Sequence, residues 1–71
     1  MKIESGSGGQ MSIFWGQSAN SFDDAVAEAV NSARNALAGS TLEWLEVIEF
    51  RGGFHSDGSL QYQVSVRVGY A

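Results

Sequence analysis

Few residues in this chain have the side chains for chemistry. His55, Ser56 and Asp57 carry the letters of a base, a nucleophile and an orienting acid. They stand consecutively, however, and such a relay is assembled from separated positions that meet in space, so the tripeptide reads as a solvated turn. Asp23, Asp24 and Glu28 offer oxygens that calcium accepts, but carboxylates at a helix start serve the helix dipole, which is the plainer role. Gly52-Gly53 lacks the helix and lysine that follow a phosphate loop, and the run Ser5-Gly6-Ser7-Gly8-Gly9 lacks the preceding strand. With no cysteine and one histidine, disulfides, thiolate metal sites and zinc sites are excluded. No nucleophile has a positioned base. The chain is read as a non-enzyme, without catalytic or metal-ligating residues.

A chain of 71 residues makes one small domain. At this size only roughly 60% of the unfolded surface is buried on folding, so a lone monomer is marginal. With disulfides and zinc excluded, association with further copies is the remaining source of stability. Hydrophobic residues are 44% of the chain and aromatic ones 11%, too many for a disordered segment. Lys2, Arg34, Arg51 and Arg67 are scattered among eight acidic residues, for a formal net charge of −4. A phosphate backbone needs a clustered basic surface, so no nucleic-acid partner is expected. No apolar run approaches the ~20 residues of a spanning helix, and no leader-like segment opens the chain. No membrane role is expected, and the expected location is cytoplasmic.

Residues 1–10 have linker composition and read as a flexible N-terminal tail, or a segment appended to the domain at 11–71. Met11 to Trp15 is short, apolar and partly β-branched, which predicts a strand. Gln17 to Asn20 reads as a loop. Ser21 and Asp24 then form a capping-box pattern, and Phe22, Val26, Ala29, Val30, Ala33 and Leu37 recur at helical spacing up to Gly39. Leu42 to Arg51 predicts a second strand, and Asp57-Gly58 a hairpin turn. From Leu60 to Tyr70 the chain alternates: Leu60, Tyr62, Val64, Val66, Val68 and Tyr70 share one face. The order is β-α-β-β, an α+β domain whose helix covers the hairpin's apolar face.

The second strand does not suit a free monomer. Simple alternation puts Leu42, Trp44, Glu46, Ile48 and Phe50 on one face and Glu43, Leu45, Val47, Glu49 and Arg51 on the other. One helix covers one face, yet both carry large apolar groups, which implies burial against other subunits, a ligand or both.

Taken in order, Gly16-Gln17-Ser18 leading to Ser21-Phe22, Leu42-Glu43-Trp44-Leu45-Glu46-Val47, Glu49-Phe50-Arg51-Gly52, Asp57-Gly58, Tyr62-Gln63-Val64 and Val68-Gly69-Tyr70 resemble the dodecin family, from about Met11 to Tyr70. The resemblance implies a three-stranded antiparallel sheet wrapped around one helix, assembled into a hollow homododecamer. It also implies that flavin pairs (FMN or riboflavin) stack between tryptophans of neighbouring subunits. Trp44 stands at the family's tryptophan, and Gln63 at the glutamine that hydrogen-bonds the isoalloxazine edge. An electron-rich indole suits an electron-poor tricyclic ring, and an amide offers both donor and acceptor. Arg51 and Arg67 are candidate partners for a flavin phosphate. Trp15 lies outside the family pattern and reads as packing, and Gly53 stands where some relatives carry a polar side chain. The resulting expectation is flavin storage and sequestration with quenching. The alternative is a flavin-free shell of the same architecture that binds another small ligand or an ion.

Overall fold

The computed structural model describes residues 9–71. The tail expected over residues 1–10 therefore lies almost wholly outside the described residues. The elements are β1 (Gln10–Ser18), α1 (Phe22–Ala36), β2 (Leu42–Phe54) and β3 (Leu60–Tyr70). The strands form one antiparallel sheet in the order β1-β3-β2, so the last strand is central. This is the β-α-β-β fold with a single helix that the sequence indicates.

Local chemistry accounts for the helix ends. Ser21 is extended and its Oγ accepts the Asp24 amide at 3.0 Å. The Ser21 amide itself turns back to Ser18 Oγ at 3.4 Å, so only one half of the capping box forms. Asp23 and Asp24 occupy the first turn and Arg34 the last, each at the dipole end that favours its charge. Leu37 still donates its amide to the Ala33 carbonyl, and Gly39 then reverses the chain at φ 93°.

Ala25, Ala29 and Ala33, one per turn, are fully buried against Val64, Val66 and Val68 of β3. The expected stripe contained Ala29 and Ala33 but not Ala25, which a hydrophobic pattern alone undervalues because of its size. Small size is what the position requires. A Cβ on Gly16 would overlap the Ala25 carbonyl oxygen and the Ala29 amide nitrogen, so the helix backbone lies directly on β1. At the helix start, Phe22 meets Phe50 and Tyr62 edge-to-face, with centroids 5.1 and 4.9 Å apart.

Two expectations are corrected here. First, the helix lies over β1 and β3 and scarcely reaches β2; it does not cover the β2–β3 hairpin. Because β1 pairs with β3, the narrow helix sits on that pair and leaves Leu45, Ile48 and Phe50 of β2 exposed. Second, β2 does not alternate simply. Register shifts between Leu42 and Trp44 and between Val47 and Glu49 insert one residue each and reset the faces. Leu42, Leu45, Val47 and Phe50 pair with helix-facing residues of β3. Trp44, Glu46, Glu49 and Arg51 pair with Gly69, Arg67, Ser65 and Gln63 on the opposite face.

The strands also run longer than local composition suggests. β1 continues through Gln17↔Gln63 and Ser18↔Tyr62, and β2 through Gly53↔Gln61, since each added pair satisfies backbone groups. The hairpin closes at Asp57-Gly58 as expected, with the His55 amide on the Ser59 carbonyl and Gly58 at φ 87°. Its tip extends past the end of β1 and exposes Phe54. Among the described residues no helix is long and apolar enough to cross a membrane.

Gly16→Ala is expected to cost about 3 kcal/mol, because a methyl group pressed into helix backbone cannot be accommodated by a side-chain rotation. Gly53→Ala, where nothing lies within 4 Å, serves as the neutral control. Thermal unfolding followed by far-UV circular dichroism compares the two.

Candidate functional site

The sheet face opposite the helix presents its side chains in rows set by the register. Gln17, Gln63 and Arg51 form one row across the three strands. Trp15, Ser65 and Glu49 form the next, then Ile13, Arg67 and Glu46, and finally Met11, Gly69 and Trp44. The two residues expected to bind ligand, Trp44 and Gln63, both lie on this face and both are half-buried.

Trp44 is placed by the first bulge of β2, which turns it away from Leu42 and the core. Its indole lies over Gly69, where a Cβ would overlap Nε1, Cε2 and Cζ2. Glycine at that position is thus the seat of the tryptophan, and the seat buries Gly69 itself. Gln63 sits on the central strand between Gln17 and Arg51.

The two are not adjacent within one chain. Gly69 and Gln63 are six residues apart on β3, which at ~3.3 Å per residue separates the Trp44 level from the Gln63 level by ~20 Å.

Around Gln63 an open cleft of about 390 Å³ is lined by Trp15, Gln17, Glu49, Arg51, Gln63 and Ser65 of this face, together with Gly16, Val64 and Glu28 of the helix, a volume in the range of small-molecule pockets. The sequence pattern assigns Trp15 to packing. It is instead 69% exposed, because Phe14 and Gly16 take the helix side of β1 and the tryptophan between them must point outward. The strand alternation of Phe14, Trp15 and Gly16 carried that signal.

The two candidate cations differ in availability. Arg67 pairs with Glu46 across β2 and β3, both about one-third exposed. Its Nε is buried without a hydrogen-bond partner. Arg51 stands only 3.9 Å from Glu49 with both side chains more than half exposed, a weak surface pair. Arg51 is the freer of the two.

The remaining chemistry-bearing residues have structural partners, Glu28 of the cleft lining among them. Glu28 accepts the Gln17 amide at 3.1 Å and so ties the helix to β1. Asp57 accepts the Ser59 amide at 2.9 Å and its hydroxyl at 2.7 Å, which holds its carboxyl below the ordinary value of 3.8. The lowered folded value means these turn bonds stabilise above the ordinary pKa and are lost as pH falls through the lowered one. Asp57 therefore braces the hairpin and makes no bond to His55 or Ser56. Among the described residues, no three His, Asp or Glu side chains are grouped as a metal site.

These features define a small β-α-β-β domain with one sheet face partly covered by its helix and the other left open. Comparison with known proteins places it more closely. The Dodecin family model matches residues 12–71, and the chain belongs to the dodecin family. Solved structures agree. Dodecin from Streptomyces davaonensis is 30% identical with a TM-score of 0.74, covering 86% of this chain and 87% of its own. The tt0972 protein from Thermus thermophilus is 33% identical with a TM-score of 0.73, covering 86% and 87%. A calcium dodecin from Mycobacterium tuberculosis, described as calcium chelating with a novel calcium-binding site, is 28% identical with a TM-score of 0.73, covering 84% and 83%. A search of curated proteins finds no match. The chain is a dodecin-type small-ligand-binding protein, and family membership implies oligomeric assembly.

Gly69→Ala is expected to lift the Trp44 indole from its seat while leaving the hydrophobic core intact. Far-UV circular dichroism should be unchanged, while tryptophan emission and near-UV circular dichroism shift. An unaltered aromatic signal would show that Trp44 does not depend on Gly69.

Proposed function

We propose that this protein binds and stores flavin, FMN or riboflavin, as a homododecamer, with Trp44 stacking on the ring and Gln63 hydrogen-bonding its polar edge. The observation that carries this reading is the placement of Trp44. A bulge turns the indole out of the core and a glycine seats it on the open sheet face. That costs the chain the burial of a large aromatic, and a stacking ligand offsets it. The ~20 Å between the Trp44 and Gln63 levels fits a ring held between copies, and so do the exposed Leu45, Ile48 and Phe50, which need cover from neighbours.

Within such a site this chain's residues bind and orient, and none transfers a group. The indole excludes water from the ring face. The Gln63 amide donates and accepts along the ring edge. Arg51, weakly paired in the free chain, is the available guanidinium for a phosphate tail, whereas Arg67 is engaged by Glu46. Contact with an electron-rich indole quenches an excited flavin by electron transfer, so the benefit of storage is a low level of free, photoreactive flavin. The protein acts as a buffer and not as an enzyme, in the cytoplasm.

Calcium is the chemistry that one relative's description favours as the alternative. A site for it here would draw ligands from more than one copy.

Titration of purified protein into riboflavin or FMN, followed by loss of flavin fluorescence, tests the reading. Quenching should saturate near one flavin per chain. One aromatic stacking contact is worth about 1–3 kcal/mol, so Trp44→Ala should weaken binding roughly 5- to 150-fold with the assembly unchanged by light scattering. Absence of quenching by either flavin in an intact dodecamer would remove the flavin assignment, and a calcium-dependent rise in stability would then favour the ion.

In the same titration, Arg51→Gln should weaken FMN several-fold and leave riboflavin unchanged. Rising salt should narrow the difference between the two flavins in the parent protein. Equal loss for both flavins would place Arg51 at the ring and not at a phosphate.

A further inference from the structure

The chain has two tryptophans, and the one beside Gln63 is not Trp44. Trp15 pairs with Ser65, and Ser65 lies two residues from Gln63 on the same face of β3. That makes Trp15 and Gln63 diagonal cross-strand neighbours, with Cα atoms roughly 7–8 Å apart and within reach of an aromatic side chain. Trp44, on β2 over Gly69, lies at a level ~20 Å from Gln63 along the strand direction.

Three features make this corner more than an exposed aromatic. Ser65, the residue between Trp15 and Glu49, is small, so the floor of the cleft is low while both sides stand up. The side chain of Gln17 is held in place, because its Oε1 accepts the Gln61 Nε2 at 2.8 Å. That bond orients the exposed Gln17 amide in the cleft wall beside Gln63. Finally, Trp15 is forced outward by the backbone. Gly16 admits the helix with no room for a side chain, and Phe14 belongs to the core-facing side. An indole at position 15 consequently has no partner in the core and stands beside the amide and guanidinium groups of the cleft.

We propose that Trp15 is a second aromatic ligand contact, packing its indole against the planar heteroaromatic ring whose polar edge Gln63 holds. The inference rests on the flavin reading of the site and extends it. The ring would meet Trp44 from one copy on its face and Trp15, beside the Gln63 that binds it, at its border. The occupant is a planar heteroaromatic ring with a hydrogen-bonding edge, since the cleft combines an indole, two amides and the Arg51 guanidinium, with the carboxylates Glu49 and Glu28 beside them. Trp15 thereby sets ring selectivity, favouring ligands wide enough to reach from Gln63 to the β1 edge.

The test is riboflavin titration of the full-length parent, Trp15→Ala and Trp15→Phe proteins, with the assembly state of each measured by light scattering. Trp15→Ala should bind riboflavin roughly tenfold more weakly in an unchanged assembly, and Trp15→Phe should recover most of the affinity. Parent-like binding by Trp15→Ala would overturn the proposal while leaving the flavin reading intact. Loss of assembly in Trp15→Ala would also overturn it, by making Trp15 a subunit contact. Failure of the parent itself to bind riboflavin or FMN would instead remove the flavin reading, and this inference with it.

Discussion

One helix of fifteen residues serves a sheet of three long strands, and a helix about 10 Å across covers only about two strands spaced ~4.8 Å apart. The central place of β3 decides which two. The helix settles over β1 and β3, pressing alanines onto valines and its own backbone onto Gly16. The whole second face and the outer half of β2 are left without cover from the chain itself. Such a domain is marginal as an isolated unit, and its remaining apolar surface is the material for contacts with other molecules.

The uncovered face is organised by residues that lack side chains or have small ones. Gly69 makes the seat of Trp44, and Ser65 makes the floor of the cleft beside Gln63. Large groups stand around them. Within this face the charges are arranged by strand pairing. Glu46 holds Arg67 near the middle, while Arg51 stays near the outer edge with only a loose hold on Glu49. The same backbone register therefore sets the packing of the core, the position of the indoles and the availability of the one guanidinium in the cleft.

Much of this organisation was legible from local patterns. Ser21 and the aspartates announced the helix start, and the alternation from Leu60 to Tyr70 announced a half-covered strand. Asp57-Gly58 marked the turn. The order of short motifs pointed to the dodecin family, and with it to Trp44 and Gln63. The two bulges of β2 were not legible, since Glu43 and Ile48 look like ordinary strand residues until their partners are known. The strand order was hidden for the same reason, and with it the strands beneath the helix. Trp15 looked like packing because nothing nearby in sequence tells which side of β1 the helix will take.

The sequence alone determined the β-α-β-β element order, the helix cap, the hairpin turn and the family. Those properties depend on chemistry between near neighbours or on patterns read along one strand. Tertiary structure decided that β3 is central, that the faces of β2 are reset twice, that Gly16 and Gly69 are contact sites, and that Trp15 rather than Trp44 neighbours Gln63. Each of these depends on pairing between residues distant in the chain, where one inserted residue moves a side chain from one face of the sheet to the other.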